Sequence, residues 1–211
     1  GMSFGLVLGV LVQVILGGIV VLTGLNPFSN MAHFLVSTVL ITNAYLLLQH
    51  AKIVRTSENV LPRQDPALTN RKVILLIRCV LIMIGLAIVT GTVVTGSGPH
   101  AGDENAQRIN IAINLVVRIH SGSVLLSILL SIILLILARR DRKSWRIMAS
   151  SLSRFICVAV FQGLLGYVQY FAGIPVYLVA VHVATSVVVW LSALSLYWQS
   201  RLPEQTLSVL D

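Results

Sequence analysis

The stretch Phe4-Gly5-Leu6-Val7-Leu8-Gly9-Val10-Leu11-Val12-Gln13-Val14-Ile15-Leu16-Gly17-Gly18-Ile19-Val20-Val21-Leu22-Thr23-Gly24 contains no charged residue. A helix needs about 20 predominantly apolar residues to cross a bilayer, and this run supplies them. Working outward, five further apolar segments follow at about 31–50, 73–95, 113–138, 155–173 and 177–198. Each is too long for a barrel strand, and none alternates polar with apolar, so the backbone must satisfy its own hydrogen bonds as helix. The expected fold is therefore an all-α integral membrane protein with six transmembrane helices. The whole chain agrees: 211 residues, 56% hydrophobic, 10% charged, mean hydropathy +0.91. That balance leaves no length for a sizeable soluble domain and excludes soluble enzyme folds.

The formal charge of +8 sits between the apolar runs. Lys52, Arg55, Arg63, Arg71 and Lys72 fall in the second connection; Arg139, Arg140, Arg142, Lys143, Arg146 and Arg154 follow the fourth segment. No aromatic residues interleave with these cations to stack bases, so nucleic acid is not an expected partner. The connections 25–30 and 174–176 lack Lys and Arg, and in 96–112 Arg108 stands against Asp103 and Glu104. The positive-inside rule then places the basic connections and both termini in the cytoplasm. The start of the chain has neither a basic n-region nor a small-residue cleavage site, so a cleavable signal peptide is not expected. Cys79 and Cys157 lie inside apolar runs without metal-type spacing and read as small buried residues.

An internal repeat organises the chain. Gln13, Leu16, Gly17, Gly24, His33 and Ser37 recur as Gln162, Leu165, Gly166, Gly173, His182 and Ser186, every pair offset by 149. Helices one and two are thus homologous to helices five and six. The expected layout is residues 1–52 as the last two helices of an N-terminal four-helix half, 53–72 as a cytoplasmic linker, 73–200 as a complete C-terminal four-helix half, and 201–211 as a cytoplasmic tail. On this reading the six helices are the last six of an eight-helix protein.

Three of the five histidines, His33, His120 and His182, fall just inside the outer ends of the second, fourth and sixth helices. At the helical rise this is roughly 3–12 Å below the external interface, so they share one layer. An imidazole in hydrocarbon needs partners for its ring nitrogens. It finds them either by bonding a neighbouring helix or by ligating a metal, and two facing histidines are a natural axial pair for haem iron. Zinc and di-iron sites suit the chain poorly, because all seven Asp and Glu lie in connections or near the C-terminus. Glycines on the odd-numbered helices, among them Gly17, Gly91, Gly163 and Gly166, make room for a porphyrin face or for close helix packing. Gln13 and Gln162 either donate to a cofactor or bridge helices. Arg118 either pairs a haem propionate or snorkels to the surface. Arg78 is expected to snorkel inward and His50 to be solvated, while the turn-rich Gly96–Asp103 segment brings His100 to a position that could cap a site.

These residues in this order resemble the bacterial heme A synthase family, in particular its actinobacterial form. The resemblance rests on Gln13-x-x-Leu16-Gly17 followed by His33, the run Gly91–Asp103, Arg118-Ile119-His120, and Gly166-Tyr167-Val168-Gln169-Tyr170 leading to His182. It covers nearly the whole chain. What it implies is an oxidoreductase of two four-helix halves in the bacterial plasma membrane, which oxidises a ring methyl group of heme O to a formyl group. The product, heme A, would serve terminal oxidases. By position, His120 and His182 resemble the axial ligands of the haem b cofactor, Arg118 a cofactor-binding residue, and His33 a catalytic, substrate-side iron ligand. The implied partners are heme O, the lipid bilayer, heme O synthase and electron acceptors, with a homo-oligomer allowed. The family's second N-terminal histidine, its glutamate one turn earlier and the outer-loop cysteine pair of many members have no counterpart here, so part of the substrate site is expected to be missing. The alternative is a non-catalytic b-type haem protein for electron transfer or haem handling.

Overall fold

The computed structural model describes residues 2–56, 68, 70–99 and 106–202. Six helices account for nearly all of them: α1 (Met2–Leu22), α2 (Pro27–Thr56), α3 (Arg71–Ser97), α4 (Ile113–Arg140), α5 (Arg142–Phe171) and α6 (Val176–Gln199). There is no strand among the described residues, and all six helices are long and apolar enough to cross a membrane. The chain is a multi-pass, all-helical membrane protein.

Two compact units make up the chain. The first holds Gly1–Ala51 with Leu86–Gly122; the second holds Lys52–Gly85 with Ser123–Asp211. α3 and α4 each contribute to both.

In the first unit, Asn26 opens α2 by accepting the Phe28 N–H on Oδ1, and Pro27 takes the first helical position, where no donor is needed. α1 closes differently. Gly24 is left-handed at φ 62°, Leu25 N–H bonds the Val20 carbonyl and Gly24 N–H the Val21 carbonyl. This is the Schellman pattern, which ties off the last carbonyls of a helix without water.

The second unit contains the most deeply buried side chains. Val73, Ile77, Val80 and Ile84 form one stripe of α3, Met148, Leu152 and Phe155 one stripe of α5, and Leu134 and Ala138 lie one turn apart on α4. α5 packs along α6, and their turn repeats that between α1 and α2: Gly173 is left-handed at φ 79°, Ile174 N–H bonds the Gln169 carbonyl and Gly173 N–H the Tyr170 carbonyl. The 149-residue repeat is therefore a repeat of backbone conformation.

One expectation is corrected here. The basic stretch up to Arg154 is not a loop: α4 runs to Arg140, and after Asp141 alone α5 begins at Arg142, so its 30 residues start well before the apolar run at 155. The Asp141 side chain accepts the Lys143 N–H and caps the new helix. Its other oxygen accepts the Ser144 hydroxyl at 2.6 Å and the Asn70 amide at 3.1 Å. Asn70 in turn accepts the Lys72 and Val73 N–H groups on Oδ1 and caps α3. Two helix starts thus share one polar junction. Cys157 also departs from expectation, being exposed on α5, whereas Cys79 is half-buried.

Candidate functional site

His33, His120 and His182 occupy the same place in their helices. Each lies about 9–11 Å, two turns, past the start of α2, α4 or α6. Each is half-buried.

All three rings are seated on a glycine of the preceding helix. A Cβ built on Gly17 would stand 3.5 Å from His33 Cε1, one on Gly91 3.2 Å from His120 Cε1, and one on Gly166 3.0 Å from His182 Cε1. The room left by these glycines is occupied by imidazole. The repeat predicts the first and third contacts as equivalents; the second has no repeat partner in the chain and reproduces the arrangement on α3 and α4. Gly18 and Gly163 meet nothing within 4 Å.

The glutamines bridge helices. Gln13 Nε2 donates to the His33 carbonyl at 3.0 Å and to Ser37 Oγ. Gln162 Nε2 donates to the His182 carbonyl at 2.9 Å, and its Oε1 accepts the Thr185 hydroxyl. The glutamine-to-histidine bond is common to both copies, whereas the hydroxyl partner shifts: Ser37 has Ser186 as its repeat equivalent, but Ser186 bonds the Val183 carbonyl and Thr185 takes its place. Each bond ties a histidine backbone to the helix bearing its glycine seat, so ring and seat keep one register.

The rings differ in their polar surroundings. His120 Nδ1 hydrogen-bonds Thr90 Oγ1 at 3.2 Å, and the ring also bonds the Ala87 backbone. His33 Nδ1 is buried without a hydrogen-bond partner among the described residues. Such an orphaned nitrogen is costly in an apolar setting. Among the described residues, no three His, Cys, Asp or Glu side chains gather as a metal cluster.

Comparisons of the chain with protein-family models, with curated proteins and with solved structures give no match.

The remaining sequence candidates stand apart from the glycine seats. Arg118 is exposed on α4, two residues before His120. His50 is exposed, with its ring Nδ1 2.8 Å from the Leu46 carbonyl. His100, Asp103 and Glu104 lie outside the described residues. Of that connection, Arg108 Nη2 donates to the Pro99 carbonyl at 2.6 Å and Ile109 N–H to the Gly96 carbonyl, so the segment entering α4 folds back over the end of α3. What sequence reading missed was the contact between glycine and imidazole. The signal was present in the spacings Gly17–His33 and Gly166–His182, which are both 16 residues.

Proposed function

We propose that this chain is a haem-binding membrane protein of the heme A synthase kind, with haem b held by His120 and His182. The observation that carries the reading is that three histidines each lie two turns into an even-numbered helix and each is seated on a glycine of the preceding helix. Lone buried histidines are common helix bridges, but a glycine seat that recurs three times, twice with a glutamine holding the histidine backbone, supports an imidazole-ligated cofactor. The donor set also suits haem iron, being imidazoles without a cluster of carboxylates or thiolates among the described residues. The choice of His120 with His182 rests on the resemblance and the repeat. The chemistry a bound haem would supply is redox and oxygen chemistry at iron. The chain's own part is to orient the imidazoles, through glycine contact at all three, Gln bonds at His33 and His182 and the Thr90 contact at His120, and to keep the surroundings apolar.

In this reading His33 belongs to the substrate side, where heme O is oxidised at a ring methyl group. Arg118 is the residue that would meet a propionate. The protein lies in a bacterial plasma membrane with the basic connections and both termini in the cytoplasm, as the distribution of Lys and Arg supports.

Expression in cells that make heme O but lack any other heme A synthase tests the activity. The substrate-side residues missing from the resemblance make the parallel experiment with an eight-helix version necessary. Formyl haem formed by the eight-helix version, and abolished by His33→Ala, is the expected result. Haem binding with no heme A in either version would instead assign the chain to the non-catalytic b-type class. Well-inserted protein that binds no haem would overturn both.

A further inference from the structure

A groove of about 400 Å³, open to the surroundings, runs between α5 and α6 within the second unit. Its walls change character along its length. Ser151, Arg154, Ser192 and Ser195 line one end; Cys157, Val158, Val188 and Leu191 line the rest. Counting from the hairpin turn, Arg154 is about 26 Å and Ser195 about 28 Å away at the helical rise, whereas Val158 and Val188 are about 18–20 Å away. A hydrocarbon core of about 30 Å entered at that turn puts the polar end at the opposite interface and the apolar part inside the acyl region.

Arg154 is exposed and makes no hydrogen bond or ion pair among the described residues. It is also the groove's one charged wall, and it follows the cluster Arg139, Arg140, Arg142, Lys143 and Arg146 along the same end of the chain. A lone cation above an apolar furrow is complementary to a molecule with one anionic head and a hydrocarbon tail.

We propose that this groove binds one anionic phospholipid, its phosphate on Arg154 and an acyl chain against Val158, Val188 and Leu191. The guanidinium offers paired N–H donors that match phosphate oxygens, and the nearby basic cluster raises the local concentration of anionic lipid. Zwitterionic lipid of the same chain length would meet the same furrow but lose the net attraction at its mouth. The proposal does not depend on the haem assignment, since the groove and the histidines share no residue.

Native mass spectrometry of the full chain in neutral detergent tests it, with phosphatidylglycerol and phosphatidylcholine of identical acyl chains as probes. One phosphatidylglycerol should be retained about fivefold more than phosphatidylcholine, and Arg154→Gln should erase that preference. Leu191→Trp, which fills the furrow, should reduce retention of both. Equal retention of the two lipids by the unmodified chain, or an undiminished preference in Arg154→Gln, would overturn the proposal. Cys157 supplies a readout that needs no substitution, because its exposed thiol also lines the groove. Phosphatidylglycerol should slow its alkylation by a maleimide more than phosphatidylcholine does, and identical rates with the two lipids would equally refute the site.

Discussion

Gly166 and His182 are in contact so close that a methyl group on the glycine would come to 3.0 Å from the imidazole Cε1. The equivalent distance at Gly17 and His33 is 3.5 Å, an ordinary van der Waals separation. The same sequence change therefore meets ordinary contact at one repeat position and a ring that must give way at the other. In a helix interior, Gly→Ala gains about 1 kcal/mol of helix propensity, while overpacking costs about 1–3 kcal/mol. Gly17→Ala should be neutral to stabilising and Gly166→Ala destabilising, with Gly91→Ala, at 3.2 Å, between them. Unfolding of the three variants in one detergent checks the order; equal effects at Gly17 and Gly166 would show that the imidazole is not held against its seat.

The haem proposal makes a coordination prediction. Purified chain should carry one six-coordinate, low-spin haem, and His120→Ala or His182→Ala should open an axial position or lose the haem. His50→Ala should do neither. Optical spectra decide it: unchanged coordination in both of the first two variants would remove them as ligands.

Gln162 and Thr185 should be energetically coupled through their side chains. Interhelical hydrogen bonds in membranes average about 0.6 kcal/mol, with a maximum near 1.7 kcal/mol. A double-mutant cycle of Gln162→Leu and Thr185→Val should return a coupling of that order. Replacing Thr185 by Ser should preserve most of it. Strict additivity of the two losses would mean that the glutamine acts only on the His182 carbonyl.

Acid should weaken the junction at Asp141. The Ser144 hydroxyl, and then the Asn70 amide, donate to its carboxylate and hold its pKa below the usual carboxylate value. A carboxyl group lowered in the folded state adds stability that is fully present above the ordinary carboxylate range and is lost as pH falls through the lowered value. Asp141→Asn should therefore be less stable than the unmodified chain at neutral pH, with the gap closing below about pH 4. A gap independent of pH would assign the effect to lost capping geometry rather than to charge.

Much of the fold was legible because hydrophobic length is a strong signal in lipid: six uncharged or nearly uncharged runs became six helices. The position of the histidines two turns into their helices followed from their place in those runs. The start of α5 was hidden for a physical reason. Arg142, Lys143, Arg146 and Arg154 interrupt the apolar pattern, yet Asp141 caps the segment and Met148, Leu152 and Phe155 carry a buried stripe through it. Cys157 was misread because an apolar run says nothing about which face meets lipid and which meets a neighbour. The glycine seats lay beyond single-helix reasoning, since glycine opposite histidine is a relation between two helices.

The paired turns at Gly24 and Gly173 bear on how such a chain enters a membrane. Each turn bonds the last carbonyls of its first helix through its own backbone and lacks Lys, Arg, Asp and Glu. The second helix of each pair starts with less: Asn26 Oδ1 serves the Phe28 N–H of α2, and Pro175 gives α6 no side-chain cap. A hairpin tip without charge carries no ionic desolvation cost on crossing the hydrocarbon, which leaves only the few uncapped N–H groups to oppose it. Duplication of such a hairpin would copy an uncharged leading tip along with the histidine that rides on it.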